Sequence, residues 1–385
     1  MKQIRNVRFP YALQWGLKVW LLARVVLSLL GMLLWYIDLI PPQPLGYDFY
    51  HGIDPILDGP QASLLGVWQR WDAIHYIRIV QGGYSSTELT AFFPAFPLLG
   101  HLLHDLFGLD ATLSLIVISN LSLILALTVF YQLICLDFPS SIARRSVVLL
   151  MVFPTAFFLL APYAESLALA LVLITFWYAR RSRWILATLA GIGAGLTHPS
   201  TLPLTLGLAW IGWQEIRNRT SPTKWFSPIG TSGPILGAGG FLLWRANQGF
   251  EPYMQVQSDF GWRTQWPWET FSEIPRLLQS DYFWVSGWIN LLILLVLLVC
   301  VYAVIKKLQP CYAVYYIALI LFFLSTSREM EPFASWGRHA LLLFPAFLVI
   351  SSWLNGKKLA HYLIIASAGL QAFLAGLFFM WIWQG

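Results

Sequence analysis

The sequence predicts an all-α polytopic membrane protein: a bundle of about 11 transmembrane helices forming one domain over residues 1–385, with short interfacial helices in its first outer loop. Three observations carry that prediction. Hydrophobic residues make up 58% of the 385 and charged residues only 11%, too little polar surface to clothe a soluble globule of this size, which excludes a soluble enzyme. Uncharged stretches recur at lengths near the roughly 20 residues that a helix needs to cross about 30 Å of hydrocarbon. The remaining charges fall between those stretches, where the positive-inside rule gives them meaning.

Single spans fit Trp15 to Ile37, Ala111 to Leu136, Trp225 to Trp244, Val285 to Ile305, Leu308 to Ser327, His339 to Leu354 and Leu359 to Trp383. The segment from Ser146 to Ala179 is too long for one span and is bounded by Arg144-Arg145 and by Arg180-Arg181-Arg183. Basic clusters at both ends belong on one face, so this segment crosses an even number of times and Glu165 turns a hairpin on the far face. Trp184 to Gln214 reads the same way, with Thr197-His198-Pro199-Ser200 at the break that proline favours. Ala91 to Leu103 is nearly span-length, but making it a span would put Arg144-Arg145 outside, and Pro94, Pro97, His101 and His104 speak against a deep helix. It is read as an amphipathic or re-entrant piece on the outer leaflet. The first span follows Lys2, Arg5 and Arg8 and lacks a small-x-small cleavage site, so it is read as a retained anchor.

This topology places the N-terminus in the cytoplasm. It leaves two large outer loops, roughly Asp38 to Asp110 and Arg245 to Trp284, and puts 15 of the 24 Lys and Arg but only two of the 18 acids, Asp137 and Glu215, on the inner side. The formal charge of +6 then serves topology and anionic lipid, and nucleic acid is excluded as a partner because no aromatic-interleaved basic groove is present. Cys135, Cys300 and Cys311 are isolated, with neither a disulfide framework nor a zinc spacing. A transporter carries ionisable residues near the midplane, whereas this chain has almost none there, Lys18 and Arg24 of the first span lying on its inner side or facing protein, and its polar residues gather at the outer ends of the helices. That distribution suits an enzyme whose substrate has a lipid tail and a polar head.

The densest constellation is Trp68-Gln69-Arg70-Trp71-Asp72-Ala73-Ile74-His75-Tyr76-Ile77-Arg78. On a helix, Asp72, His75 and Tyr76 share one face at i, i+3 and i+4, with Trp68 and Trp71 near it. A carboxylate among aromatic walls is a candidate general base, and Trp faces are platforms for sugar rings; an interfacial aromatic belt with Asp72 paired to Arg70 or His75 is the alternative. Glu165 reads either as a second functional carboxylate or as a solvated turn, and His198 as a capped turn residue or a ligand. Arg328, Arg338 and His339 surround an outer loop that would attract an anionic head group, or snorkel to the interface. Asp48, Asp54 and Asp58 form no DxD metal motif and read as a solvated loop. Asn218-Arg219-Thr220 fits a glycosylation acceptor but falls on the cytoplasmic side.

Arg70-Trp71-Asp72-Ala73-Ile74-His75-Tyr76 followed by Gly82-Gly83-Tyr84 and Ala91-Phe92-Phe93-Pro94-Ala95-Phe96-Pro97 resembles the first outer loop of the PIG-V-like mannosyltransferases, among them bacterial relatives. Phe153-Pro154-Thr155-Ala156-Phe157-Phe158, Ala161-Pro162-Tyr163-Ala164-Glu165-Ser166, Leu196-Thr197-His198-Pro199 and Ser335-Trp336-Gly337-Arg338-His339 follow in the same order as in that family. The resemblance implies a GT-C glycosyltransferase in the plasma membrane of a prokaryote, using a polyprenyl-phosphate sugar such as the mannosyl form as donor and a lipid or glycan hydroxyl as acceptor. It gives Asp72 the catalytic role, with Trp71 beside it; together with the reading of the outer residues above, Arg70, Trp71, His75, Tyr76, Glu165, His198, Arg328, Arg338 and His339 are the candidate substrate-binding residues. Relatives usually carry arginine where His198 stands and often tyrosine where His339 stands. No nucleotide is needed; a divalent cation, which Glu165 would help to orient in place of the acceptor, stays an alternative that no metal motif supports. A lipid-sugar flippase and a membrane glycosyl hydrolase are the competing functions.

Overall fold

Helices dominate the computed structural model, which describes residues 9–41, 50, 52–217, 224–275, 285–328 and 333–383. Lys2, Arg5, Arg8, Asp48 and the Asn218-Arg219-Thr220 pattern lie outside the described residues. In chain order the helices are α1 (Phe9–Tyr36), α2 (Gly59–Leu64), α3 (Asp72–Gly82), α4 (Ala95–Phe107), α5 (Ala111–Ile134), α6 (Ser140–Met151), α7 (Glu165–Ala179), α8 (Trp184–Gly195) and α9 (Leu204–Arg217). They continue with α10 (Ser227–Asn247), α11 (Tyr253–Asp259), α12 (Pro267–Ser272), α13 (Val285–Lys307), α14 (Pro310–Leu324), α15 (Trp336–His339), α16 (Phe344–Trp353) and α17 (Leu359–Phe379). Among the described residues, four helices are long and apolar enough to cross a membrane: Phe9–Tyr36, Ala111–Ile134, Gly287–Lys307 and Leu359–Phe379. Helices α7, α8, α14 and α16 are apolar but shorter.

Several boundaries differ from those read in the sequence. The basic pair Arg144-Arg145 lies inside α6, which ends at Met151 instead of running on toward Glu165. Phe153-Pro154 accounts for the stop, because proline disfavours helical geometry in the residue before it. From Thr155 to Glu165 the chain is buried, and its regular structure before α7 is one 3-10 turn, Ala156–Leu159. The stretch read as His339 to Leu354 divides into α15, a 3-10 turn at Ala340–Leu342 and α16. A two-stranded antiparallel ladder, β1 (Trp262–Thr264) with β2 (Thr326–Arg328), joins the second outer loop to the end of the stretch read as the Leu308 to Ser327 span, which stops being helical at Leu324, and pairs Trp262 with Arg328. Loop backbone near apolar helices still needs partners for its N–H and C=O groups, and the ladder supplies them.

The chain packs as two compact units, Met1–Ala170 with Leu354–Gln384, and Leu171–Trp353. In the first, α1 packs against α5, α6 and α17, while α3 and α4 pack against α5. In the second, α10 packs on α8 and α9, α14 on α9, and α13 on α14 and α16. Gly195 and Gly237 let α8 and α10 touch backbone to backbone: a Cβ on either would collide with the carbonyl of Pro234 or Ile192. Phe176, Tyr312, Tyr315 and Phe344 form this unit's aromatic core, with Phe176 ring centroids 5.2, 5.4 and 5.7 Å from the other three.

Candidate active site

Helix α3 begins at Asp72, which meets the condition under which Asp72, His75 and Tyr76 share one face. The residue before it, Trp71, takes φ 55° and ψ −124°, a conformation that bulky side chains rarely adopt and that costs on the order of 1–3 kcal/mol. The flanking residues hold it there. Arg70 is buried and donates from Nε to the Phe379 carbonyl at 3.0 Å, and from Nη1 to the carbonyls of Gly66 at 2.9 Å and Gln69 at 3.1 Å. Its guanidinium lies 4.3 Å from the Trp381 ring centre, and its own carbonyl accepts from the Tyr163 hydroxyl at 3.0 Å. Burial pulls the Arg70 guanidinium down to about 10, with Tyr50 acting in the opposite direction. Gln69 accepts from the Ile56 amide and donates to Thr112, both at 2.9 Å.

Asp72 is half-buried at the first turn of α3, where the helix dipole favours an acid. His75 stacks on Phe92 at 4.8 Å, while Tyr76 is buried edge-on to Phe92 and Phe96 at 5.1 and 4.9 Å. Gly83, at φ 65°, ends α3, and the Tyr84 hydroxyl donates to the Phe92 carbonyl at 2.9 Å; the Gly82-Gly83-Tyr84 signal thus folds the Phe92 loop back onto the helix. The rings of Trp381 and Trp383 stand edge-on to Trp71 at 5.9 and 5.5 Å. Sequence reasoning offered Arg70 and Tyr76 as substrate contacts, and the structure buries both in packing. It missed Tyr163, Trp381 and Trp383; the Trp-x-Trp pair at the chain's end was the available signal for the last two.

Glu165 is buried at the start of α7. The irregular segment leading to it is tied down by side chains: the Ser166 hydroxyl donates to the Leu159 carbonyl at 2.5 Å, and that of Ser119 to the Tyr163 carbonyl at 3.2 Å.

The second unit gathers His198 and His339. His198 caps the 3-10 turn Pro199–Thr201: its Nδ1 accepts from the Ser200 amide at 3.2 Å and lies 2.6 Å from the Ser200 hydroxyl. The two imidazoles are 6.4 Å apart, and His339 lies parallel to Phe323 at 4.3 Å, with Trp262 at 6.4 Å. Arg338 is buried, and Arg328 reaches this region as the ladder partner of Trp262. Asn290 accepts from the Gly337 amide at 2.8 Å, fixing the turn.

The model of the mannosyltransferase (PIG-V) family matches residues 20–198. Over this stretch the chain is PIG-V-like. The match supports a glycosyltransferase, and the four span-length helices support a membrane protein. The PIG-V-like stretch contains Arg70, Trp71, Asp72, His75, Tyr76, Glu165 and His198; Arg328, Arg338 and His339 lie beyond its end. Among curated proteins, none matches the chain.

Proposed function

We propose that the chain transfers a sugar, mannose in the first instance, from a polyprenyl-phosphate donor to a lipid-linked or glycan hydroxyl on the non-cytoplasmic face of the membrane, with Asp72 as general base. The observation that carries this reading is the PIG-V family match across a loop in which the strained Trp71 starts α3 at a half-buried Asp72. In the step itself the acceptor oxygen attacks the anomeric carbon, the bond from that carbon to the phosphate oxygen breaks, and its electron pair leaves with the lipid phosphate. Asp72 takes the hydroxyl proton, and a single displacement inverts the anomeric centre. Trp71 and His75 offer ring surfaces for the sugar, and Glu165 orients the acceptor. Arg70 and Tyr76 act through packing, fixing the backbone on which Asp72 sits. In the second unit, Arg328, Arg338, His198 and His339 are candidates for anion binding. With Asp72 taking the proton and Glu165 orienting the acceptor, EDTA should leave transfer within about two-fold of its untreated rate, against the larger loss expected where a metal stabilises charge. The topology rests on the charge census, with about 11 crossings and Asp72 outside.

The test incubates purified protein in detergent with polyprenyl-phosphate mannose and follows polyprenyl phosphate and sugar, with and without acceptor. Acceptor-dependent release of polyprenyl phosphate supports the proposal. Free mannose without acceptor would make the protein a hydrolase, and movement of an intact carrier across a vesicle would make it a flippase. Labelling of Asp72→Cys by an impermeant thiol reagent from the cytoplasmic side alone would overturn the assigned face.

A further inference from the structure

Arg24 lies near the middle of α1, an apolar helix of spanning length, and a charge there costs about 2.5–3.5 kcal/mol on insertion scales. Such a residue needs a compensating role, and its contacts point to one. Its Nη1 donates to the Leu160 carbonyl at 3.2 Å, and its guanidinium carbon lies 5.1 Å from the centre of the Trp68 ring. The Leu160 carbonyl belongs to the buried irregular segment before α7, where side chains must satisfy backbone that makes no helix. It also receives Asn120 Nδ2 at 3.4 Å, and Asn120 Oδ1 in turn accepts from Trp20 Nε1 at 2.8 Å. Trp68 leads into Arg70-Trp71-Asp72, and Leu160 leads into Glu165.

We propose that Arg24 is a positioning residue that clamps the Asp72 loop and the Glu165 segment to α1 and to each other, one through the Trp68 face and the other through the Leu160 carbonyl. The clamp is a feature of the fold; its consequence for turnover rests on the transferase reading above. A guanidinium suits the task because it stacks flat on indole while donating in its own plane, which neither a methionine nor a glutamine reproduces.

The test compares Arg24→Met and Arg24→Lys by two readouts: kcat and donor KM for sugar transfer, and, independently of turnover, the thiol-labelling rate of Asp72→Cys in each background. Arg24→Met should lower kcat roughly ten- to hundred-fold, as displaced reacting groups do, with donor KM within about two-fold, and should raise labelling at position 72 several-fold. Arg24→Lys, which keeps a cation near Trp68 and one donor, should recover most of both. Normal kcat and labelling in Arg24→Met would overturn the clamp, as would a loss of kcat that tracks loss of folded protein without rescue by lysine. If the wild-type chain transfers no sugar while labelling still responds to Arg24, the clamp stands and the transferase reading falls.

Discussion

Trp71 and Ser335 each take a positive φ one residue before a helix that carries ionisable side chains, yet the two turns are held in different ways. At Ser335, φ 63° and ψ 6° is ordinary left-handed geometry that a small polar residue tolerates, and its surroundings are largely aromatic: Phe323 lies flat against His339, with Asn290 fixing Gly337. At Trp71 the conformation is an outlier for an indole, and polar contacts over-determine it, with Arg70 spending its guanidinium on three backbone carbonyls and Tyr163 bonding the Arg70 carbonyl. The costlier turn has the stiffer support, and it lies within the PIG-V-like stretch, whereas Ser335 lies beyond it. Strain persists only where surrounding structure over-determines it, and here it falls beside the proposed base.

That contrast can be broken most decisively at the carboxylate. Asp72→Asn should insert and fold normally yet lose transfer by roughly a hundred-fold or more, the scale of a missing general base; near-normal turnover would demote the Trp71 turn to architecture. Arg70→Met should remove the side-chain donor from the carbonyls of Gln69 and Phe379, Gly66 keeping the Gln69 amide, and cost about 3 kcal/mol, read as a lower unfolding midpoint in detergent. An unchanged midpoint would mean that Trp71 holds its conformation without this support. His339 sharpens the other side of the comparison: His339→Phe keeps a flat ring against Phe323 and should change stability by less than about 1.5 kcal/mol, while His339→Ala leaves a cavity and costs about 3 kcal/mol or more. Equal losses for the two would show that the imidazole's hydrogen bonding, not its packing, holds the second cluster. The smallest effect belongs to Ser335→Gly, which should shift stability by no more than roughly 1 kcal/mol because the left-handed turn suits glycine.

Local chemistry made much of this legible in the sequence. The break at His198-Pro199 falls between α8 and α9, Glu165 starts a helix after an interruption, and Asp72, His75 and Tyr76 all lie on α3, where their spacing puts them on one face. The end of α6 was misplaced because a continuous apolar run conceals whether a buried segment is helical, and Phe153-Pro154 was the overlooked signal. Arg70, read in the sequence as a substrate contact beside a candidate base, donates in the structure to the carbonyls of Gly66, Gln69 and Phe379, bonds to backbone that its neighbours in sequence do not reveal.

By itself, then, the sequence determined a helical membrane chain and the positions of several of its breaks, because hydropathy, proline and charge act over a few turns of backbone. Only the tertiary structure decided that Trp71 is strained, that the C-terminal tryptophans wall it, that Arg24 reaches both Trp68 and Leu160, and that β1 pairs with β2. These contacts join residues far apart in the chain, and they follow from which surfaces can be buried together and which buried carbonyls still need a donor, conditions that no local stretch of sequence expresses.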